Sequence, residues 1–151
     1  SDAHLAVAGT ADGSPYPSLA ADLGVADRVH FLGFRRDVSQ LMRAADVFLL
    51  PSRRDSCPLV LLEALASGLP VIASQNVGSA NLLGSSGGFV LDDPEDADTL
   101  ATHLSTLAGD ASLRASMGRT ARDIAEQHSW DQMAARYLTI FRALATAPVP
   151  A

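Results

Sequence analysis

Between His4 and Leu91 the chain alternates short, continuously apolar runs with longer segments of helical period, and this constrains its fold more than any other feature. A strand buried on both faces has no polar alternation, and a parallel neighbour is reached only through a crossover, usually a helix. The pattern therefore specifies βαβ units around a buried parallel sheet, an α/β Rossmann-like architecture with helices on both faces. Strands are expected at His4–Ala8, Val29–Leu32, Val47–Leu50, Val71–Ala73 and Gly88–Leu91. Helical segments fall at Tyr16–Leu23, Val38–Ala44, Pro58–Ser67 and Ser79–Leu83, with Gly24 and Gly68 placed where a left-handed helix cap favours glycine. Beyond Leu91 the pattern is helical only. Asp93 reads as an N-cap before Pro94, opening a helix to about Leu107; a second runs from Ala111 to Gln127; Ser129 caps a third that ends near Leu144. Residues 1–144 are expected to form one domain and 145–151, with two prolines, a flexible tail.

Bulk properties exclude several classes of function. With 48% apolar and 19% charged residues the chain has the balance of a folded domain rather than a disordered one. A formal charge of −6 disfavours a surface built to neutralise nucleic-acid phosphates or anionic lipid. The longest apolar stretch, Leu59 to Ala73, is interrupted by Glu63, Ser67, Gly68 and Pro70 and does not read as a membrane span. Cys57 is the single cysteine, which fits a reducing compartment, and no close group of His and acids suggests a structural metal. The chain opens on Ser1 without an apolar leader, which reads as a fragment or processed chain carrying no secretion signal.

The chemically informative segment runs from Pro51 to Val71. It joins a strand end, a polar loop, a helix and the next strand, and open α/β sheets bind ligands in the crevice beyond their strand carboxyl ends. From Ser56 through Leu62 there is no carboxylate, although first helical turns usually attract one. The amides of Leu59 and Val60 are thus left for another acceptor. A diphosphate suits them, with Arg53 and Arg54 adding positive charge nearby; an ordinary buried helix that needs no acid suits the bare start equally well. Asp55 precedes the helix, and Glu63 follows eight positions later within an apolar surface of Leu61, Leu62, Ala64 and Leu65. A carboxylate placed there needs donors, which two adjacent ribose hydroxyls, an internal salt bridge or solvent would supply.

These residues resemble a known family. The acid-x7-acid element, the run from Pro58 to Val71, the upstream Arg28-Val29-His30-Phe31-Leu32-Gly33-Phe34, the block Ala44 to Ser52 and His128-Ser129-Trp130 are together similar to the C-terminal domain of GT-B glycosyltransferases of family 4, across nearly the whole chain. The resemblance implies a nucleotide-sugar donor site of a retaining, bacterial-type enzyme transferring a hexose-type sugar to an unknown acceptor. Asp55 would contact the transferred sugar as the catalytic acid position, Pro58, Leu59 and Val60 would hold the diphosphate, and Glu63 the ribose. The loop of Gly33, Phe34 and Arg35 would lie against the base. The family needs no metal or other cofactor, and the implied partner is a UDP-, GDP- or ADP-sugar. It also implies a cytoplasmic location, any membrane attachment coming through the separate N-terminal domain that binds acceptor.

The chain departs from the family pattern at several places. Asp55 stands where Glu is usual, one methylene shorter. Pro58 replaces a common glycine; it suits a first helical position but removes one N–H. Gln75-Asn76-Val77-Gly78-Ser79 replaces a glycine-rich segment ending in an acid. Nothing before His4 matches the strand and helix that open the family's domain with an Arg and a Lys facing the diphosphate. The chain is therefore expected to lack its first βα unit, to transfer nothing alone, and to rearrange, recruit a partner or expose apolar surface. A non-catalytic nucleotide-sugar-binding module and an epimerase or phosphorylase of the same fold are the competing readings. His30 reads as a satisfied strand residue, Cys57 as a packing residue, Trp130 as an anchor docking the last helix, and Gly9 to Gly13 as a turn.

Overall fold

A computed structural model of the chain describes residues 3–10, 14–84 and 86–146. The chain divides into two compact units, Ser1–Ala44 and Ala45–Ala151. The turn assigned to Gly9–Gly13 and the tail lie partly outside the described residues.

The first unit contains β1 (Leu5–Ala8), α1 (Tyr16–Asp22), β2 (Val29–Gly33) and α2 (Val38–Ala44). β1 and β2 are parallel, in register from Leu5 opposite Val29 to Val7 opposite Phe31, with an irregularity before Ala8 meets Gly33. α1 ends in the expected left-handed glycine: Gly24 has φ 67° and its N–H donates to the carbonyl of Ala21. Leu5, Val7, Val29 and Phe31 face Tyr16, Leu19, Ala20 and Leu23 of the α1 region across an apolar cavity of about 340 Å³. The cavity is open, and Leu5, Tyr16, Leu19 and Leu23 remain exposed.

The second unit contains β3 (Phe48–Leu50), α3 (Leu59–Ala66), β4 (Val71–Ser74), a 3-10 turn at Ala80–Leu83, β5 (Gly88–Leu91), α4 (Ala97–Gly109), α5 (Ala111–Gln127) and α6 (Trp130–Thr146). β3, β4 and β5 form a parallel sheet with β4 in the middle. Every residue of β4 is fully buried. Ile72 and Leu91 pack with Leu107 of α4 and Met117 of α5, and Leu61 and Leu65 bury one side of α3. Gly68 closes α3 with φ 75°; a Cβ on Gly118 of α5 would meet the Gly68 carbonyl at 2.3 Å, so these helices approach through a glycine. Arg122 of α5 donates to the carbonyl of Ala66 at 2.5 Å, satisfying one free acceptor at that helix end.

All five strands and the principal helices form where the periodicity puts them, but details differ. The strands make two parallel ladders, β1 with β2 and β3 with β4 and β5, rather than one. α4 is capped by Asp96, whose carboxylate accepts from Thr99 N–H at 2.9 Å. Asp93, the expected cap, instead accepts from Glu95 N–H in a local turn, because Pro94 and Glu95 do not enter the helix. Asp110 caps α5 through Leu113 N–H, and Ser129 accepts from Gln132 N–H as expected. Trp130 does not dock: its residue is 69% exposed, because α6 buries no residue among those described.

Candidate functional site

Two short cross-connections shape the loop between β3 and α3. The Ser74 hydroxyl, at the end of β4, donates to the carbonyl of Ser52 at 2.5 Å. Further along, Asp55 N–H donates to the Asn76 carbonyl (3.2 Å), and Gly78 N–H donates to the Asp55 carbonyl (2.8 Å). Asp55 and Val77 thereby form an isolated parallel bridge beyond the end of the sheet. This approach requires glycine at 78, where a Cβ would lie 2.1 Å from the Ser56 carbonyl oxygen. The loop carrying Asp55 is thus fixed by the segment Gln75–Ser79. That segment is itself anchored by Gln75, whose N–H donates to the Leu91 carbonyl and whose side-chain amide donates to that of Asp92. Sequence reading drew no role from Gln75 or Gly78; a glycine just beyond a buried strand was the available signal.

Pro58 is buried and occupies the N-cap of α3, not the first helical position, with extended backbone (φ −71°, ψ 115°). The helix therefore begins at Leu59, and proline's missing donor falls outside it. No side chain caps α3 and its first turn contains no acid. Leu61 N–H donates to the Pro58 carbonyl, while Leu59 and Val60 N–H have no acceptor among the described residues. Both amides sit at the positive end of the helix dipole.

Asp55 is half-buried. Glu63 is exposed, which corrects its expected place inside an apolar surface: Leu61, Ala64 and Leu65 face the core, and Glu63 lies one turn after exposed Leu59 on the outer face. Its side chain needs no buried partner, and helical geometry directs it back toward the first turn of α3. The charge expected from Arg53 is engaged elsewhere, since its guanidinium pairs with Glu95 at 2.8 Å. Arg54 is exposed with no ion pair among the described residues.

The remaining expected site residues belong to the first unit. Gly33 ends β2 with φ 63°, a conformation that favours glycine. Phe34 is 74% exposed. Arg35 makes a two-pronged ion pair with Asp37 at 2.6 and 2.8 Å. The hydrogen bonds hold the Asp37 carboxyl below its ordinary range and raise Arg35 further. Among the described residues no group of three or more His, Cys, Asp or Glu converges as a metal site, and no helix is long and apolar enough to cross a membrane.

Comparison with known proteins places this geometry in context. The family model for Glycosyl transferases group 1 matches residues 1–110. D-inositol 3-phosphate glycosyltransferase of Corynebacterium kroppenstedtii is 37% identical over 133 residues, covering 87% of this chain and 29% of that protein. Lipopolysaccharide glucosyltransferase WaaG of Escherichia coli is 36% identical, covering 74% of this chain and 30% of that protein. The chain spans less than a third of the length of these curated relatives. Among solved structures, WaaG superposes with a TM-score of 0.76 at 33% identity, covering 85% of this chain and 35% of that one. Anabaena HepE in complex with UDP superposes with a TM-score of 0.81 at 27% identity, covering 96% and 41%. The architecture is accordingly part of a GT-B domain, and the chain belongs to the Glycosyl transferases group 1 family.

Proposed function

We propose that this chain is the donor-binding part of a retaining, family 4-type glycosyltransferase that takes a nucleoside diphosphate sugar and passes a hexose-type sugar to an acceptor held by another domain. The observation that carries this reading is the uncapped start of α3, with the Leu59 and Val60 amides unclaimed and the clamped Asp55 loop beside them. The diphosphate β-oxygens accept from those amides, and the negative charge that develops as the glycosidic bond breaks is stabilised by the same dipole. Glu63, leaning toward that turn, receives the ribose hydroxyls as donors. Asp55 hydrogen-bonds hydroxyls of the transferred sugar, its backbone held by Asn76 and Gly78. Gly33, Phe34 and Arg35 supply the surface for the base. UDP is the first nucleotide to test, because solved HepE complexes contain UDP and UDP-glucose. The family resemblance carries two further parts of the proposal: transfer proceeds without a metal in the cytoplasm, and the 151-residue chain alone is inactive.

Calorimetry of UDP, GDP and ADP against the full-length parent tests this reading. One nucleotide is expected to bind, with at least tenfold weaker binding in Glu63→Ala, roughly the loss of one good charge-assisted hydrogen bond. Equal affinity of wild type and Glu63→Ala for every nucleotide would remove the ribose assignment. Turnover by the 151-residue chain above background would overturn its proposed inactivity.

A further inference from the structure

The first unit holds a pair of imidazoles that the donor-site reading does not use. His4 immediately precedes β1 and His30 lies on β2, with His4 Nδ1 and His30 Nε2 3.0 Å apart. The rings are within 15° of coplanar and their centroids 5.2 Å apart. That separation is close to the N···N distance plus two ring radii, the largest value the contact allows, so the rings meet edge to edge with nitrogens facing. Leu5, Val7, Val29 and Phe31 turn toward α1 and the cavity. Strand alternation places His30 and its register partner Ala6 on the opposite face, where both histidines are exposed.

We propose that His4 and His30 form a two-imidazole chelate for a divalent ion of the Cu2+, Ni2+ and Zn2+ class, with water completing the coordination. Two metal–nitrogen bonds of about 2.0–2.1 Å separate their nitrogens by about 2.9 Å in a square plane and about 3.4 Å in a tetrahedron. The 3.0 Å spacing already falls in that range, so rotation of two exposed rings suffices to converge their lone pairs. The hydrogen-bonded ladder of β1 and β2 holds the Cα of His30 and that of Leu5, the residue next to His4, and so lowers the ordering cost of chelation. Imidazole donors select borderline transition ions, with Cu2+ bound more tightly than Ni2+ or Zn2+. With no third protein ligand among the described residues, the ion exchanges freely and joins the strands rather than completing a closed structural site. The other histidines are differently engaged: His103 stacks on Phe89 and His128 Nδ1 contacts the Ile124 carbonyl.

Calorimetric titration of the 151-residue chain with NiCl2 and CuCl2 in a non-chelating buffer, with folding checked by circular dichroism, tests the site. One equivalent of each ion is expected to bind, Cu2+ more tightly, with at least tenfold loss in both His4→Ala and His30→Ala and no change in His103→Ala. Full retention of affinity in His30→Ala would overturn the proposal, because His4 would then bind without its cross-strand partner. Wild-type binding no tighter than that of the double variant would overturn it too.

Discussion

β1 and β4 are both four-residue parallel strands written in small and branched apolar residues, Leu-Ala-Val-Ala and Val-Ile-Ala-Ser, yet their surroundings are opposite. β4 has a hydrogen-bonded neighbour on each side and is buried at every residue. β1 has one neighbour, and three of its four residues are exposed. Apolar composition qualifies a segment for burial, but the elements packed on it decide whether burial occurs. The residues of interest divide the same way: Asp55, Pro58, Leu59, Val60 and Glu63 belong to the well-packed unit, and Phe34 and Arg35 to the thinly covered one.

The most severe test of this contrast is truncation of matched side chains. Ile72→Ala should cost about 3–4 kcal/mol, since a buried branched side chain leaves a cavity, while Val7→Ala beside the open cavity should cost less than about 1 kcal/mol. Denaturant unfolding measures both, and equal losses would show that β1 is as well supported as β4. Gly78→Ala follows at about 2 kcal/mol, because the new methyl collides with a backbone carbonyl rather than a movable side chain. Under the proposed donor-site reading, the same substitution should weaken sugar transfer more than nucleotide binding, since it displaces Asp55 and leaves the α3 amides in place. Removing the α5 cap with Asp110→Ala should cost about 1 kcal/mol, visible as a lower melting temperature.

Acidification supplies the smallest effect and reports on both units. Asp37 is held below its ordinary range by the Arg35 hydrogen bond, and Asp96 by its hydrogen bonds from the Thr99 side chain and amide. A carboxyl depressed on folding contributes stability above its unfolded value near 4, which is lost as pH falls through the folded value. Melting temperature should therefore decline below about pH 4, and the decline should shrink in both Asp37→Asn and Asp96→Asn. An unchanged pH profile in Asp96→Asn would show that ionisation of Asp96 contributes nothing to the acid response.

Much of this organisation is legible in the sequence because parallel strands and their crossovers leave long-period signals. Val71-Ile72-Ala73 is apolar at every position, and Gly24 and Gly68 stand where chain reversal requires positive φ. Three readings depended on information that spacing lacks. Asp93 and Asp96 are chemically identical, and only the backbone path through Pro94 selects the second as cap. Glu63 sits among leucines in sequence, yet the helical angle from Leu59 turns it outward. Trp130 resembles an anchor, but the sequence contains no sign that α6 buries nothing among the described residues. The contact of Gly78 with Ser56 joins segments twenty-two positions apart and appears only once β3 and β4 are aligned.

The Asp55 loop is held through main-chain atoms, with Ser52 contributing a carbonyl and Asp55 its amide and carbonyl. The side chains of Arg54, Asp55, Ser56 and Cys57 are consequently spared the job of keeping the loop in shape, while Arg53 pairs with Glu95. Residues there can be exchanged without unravelling the scaffold, so an aspartate at 55 imposes no strain on the path of the main chain.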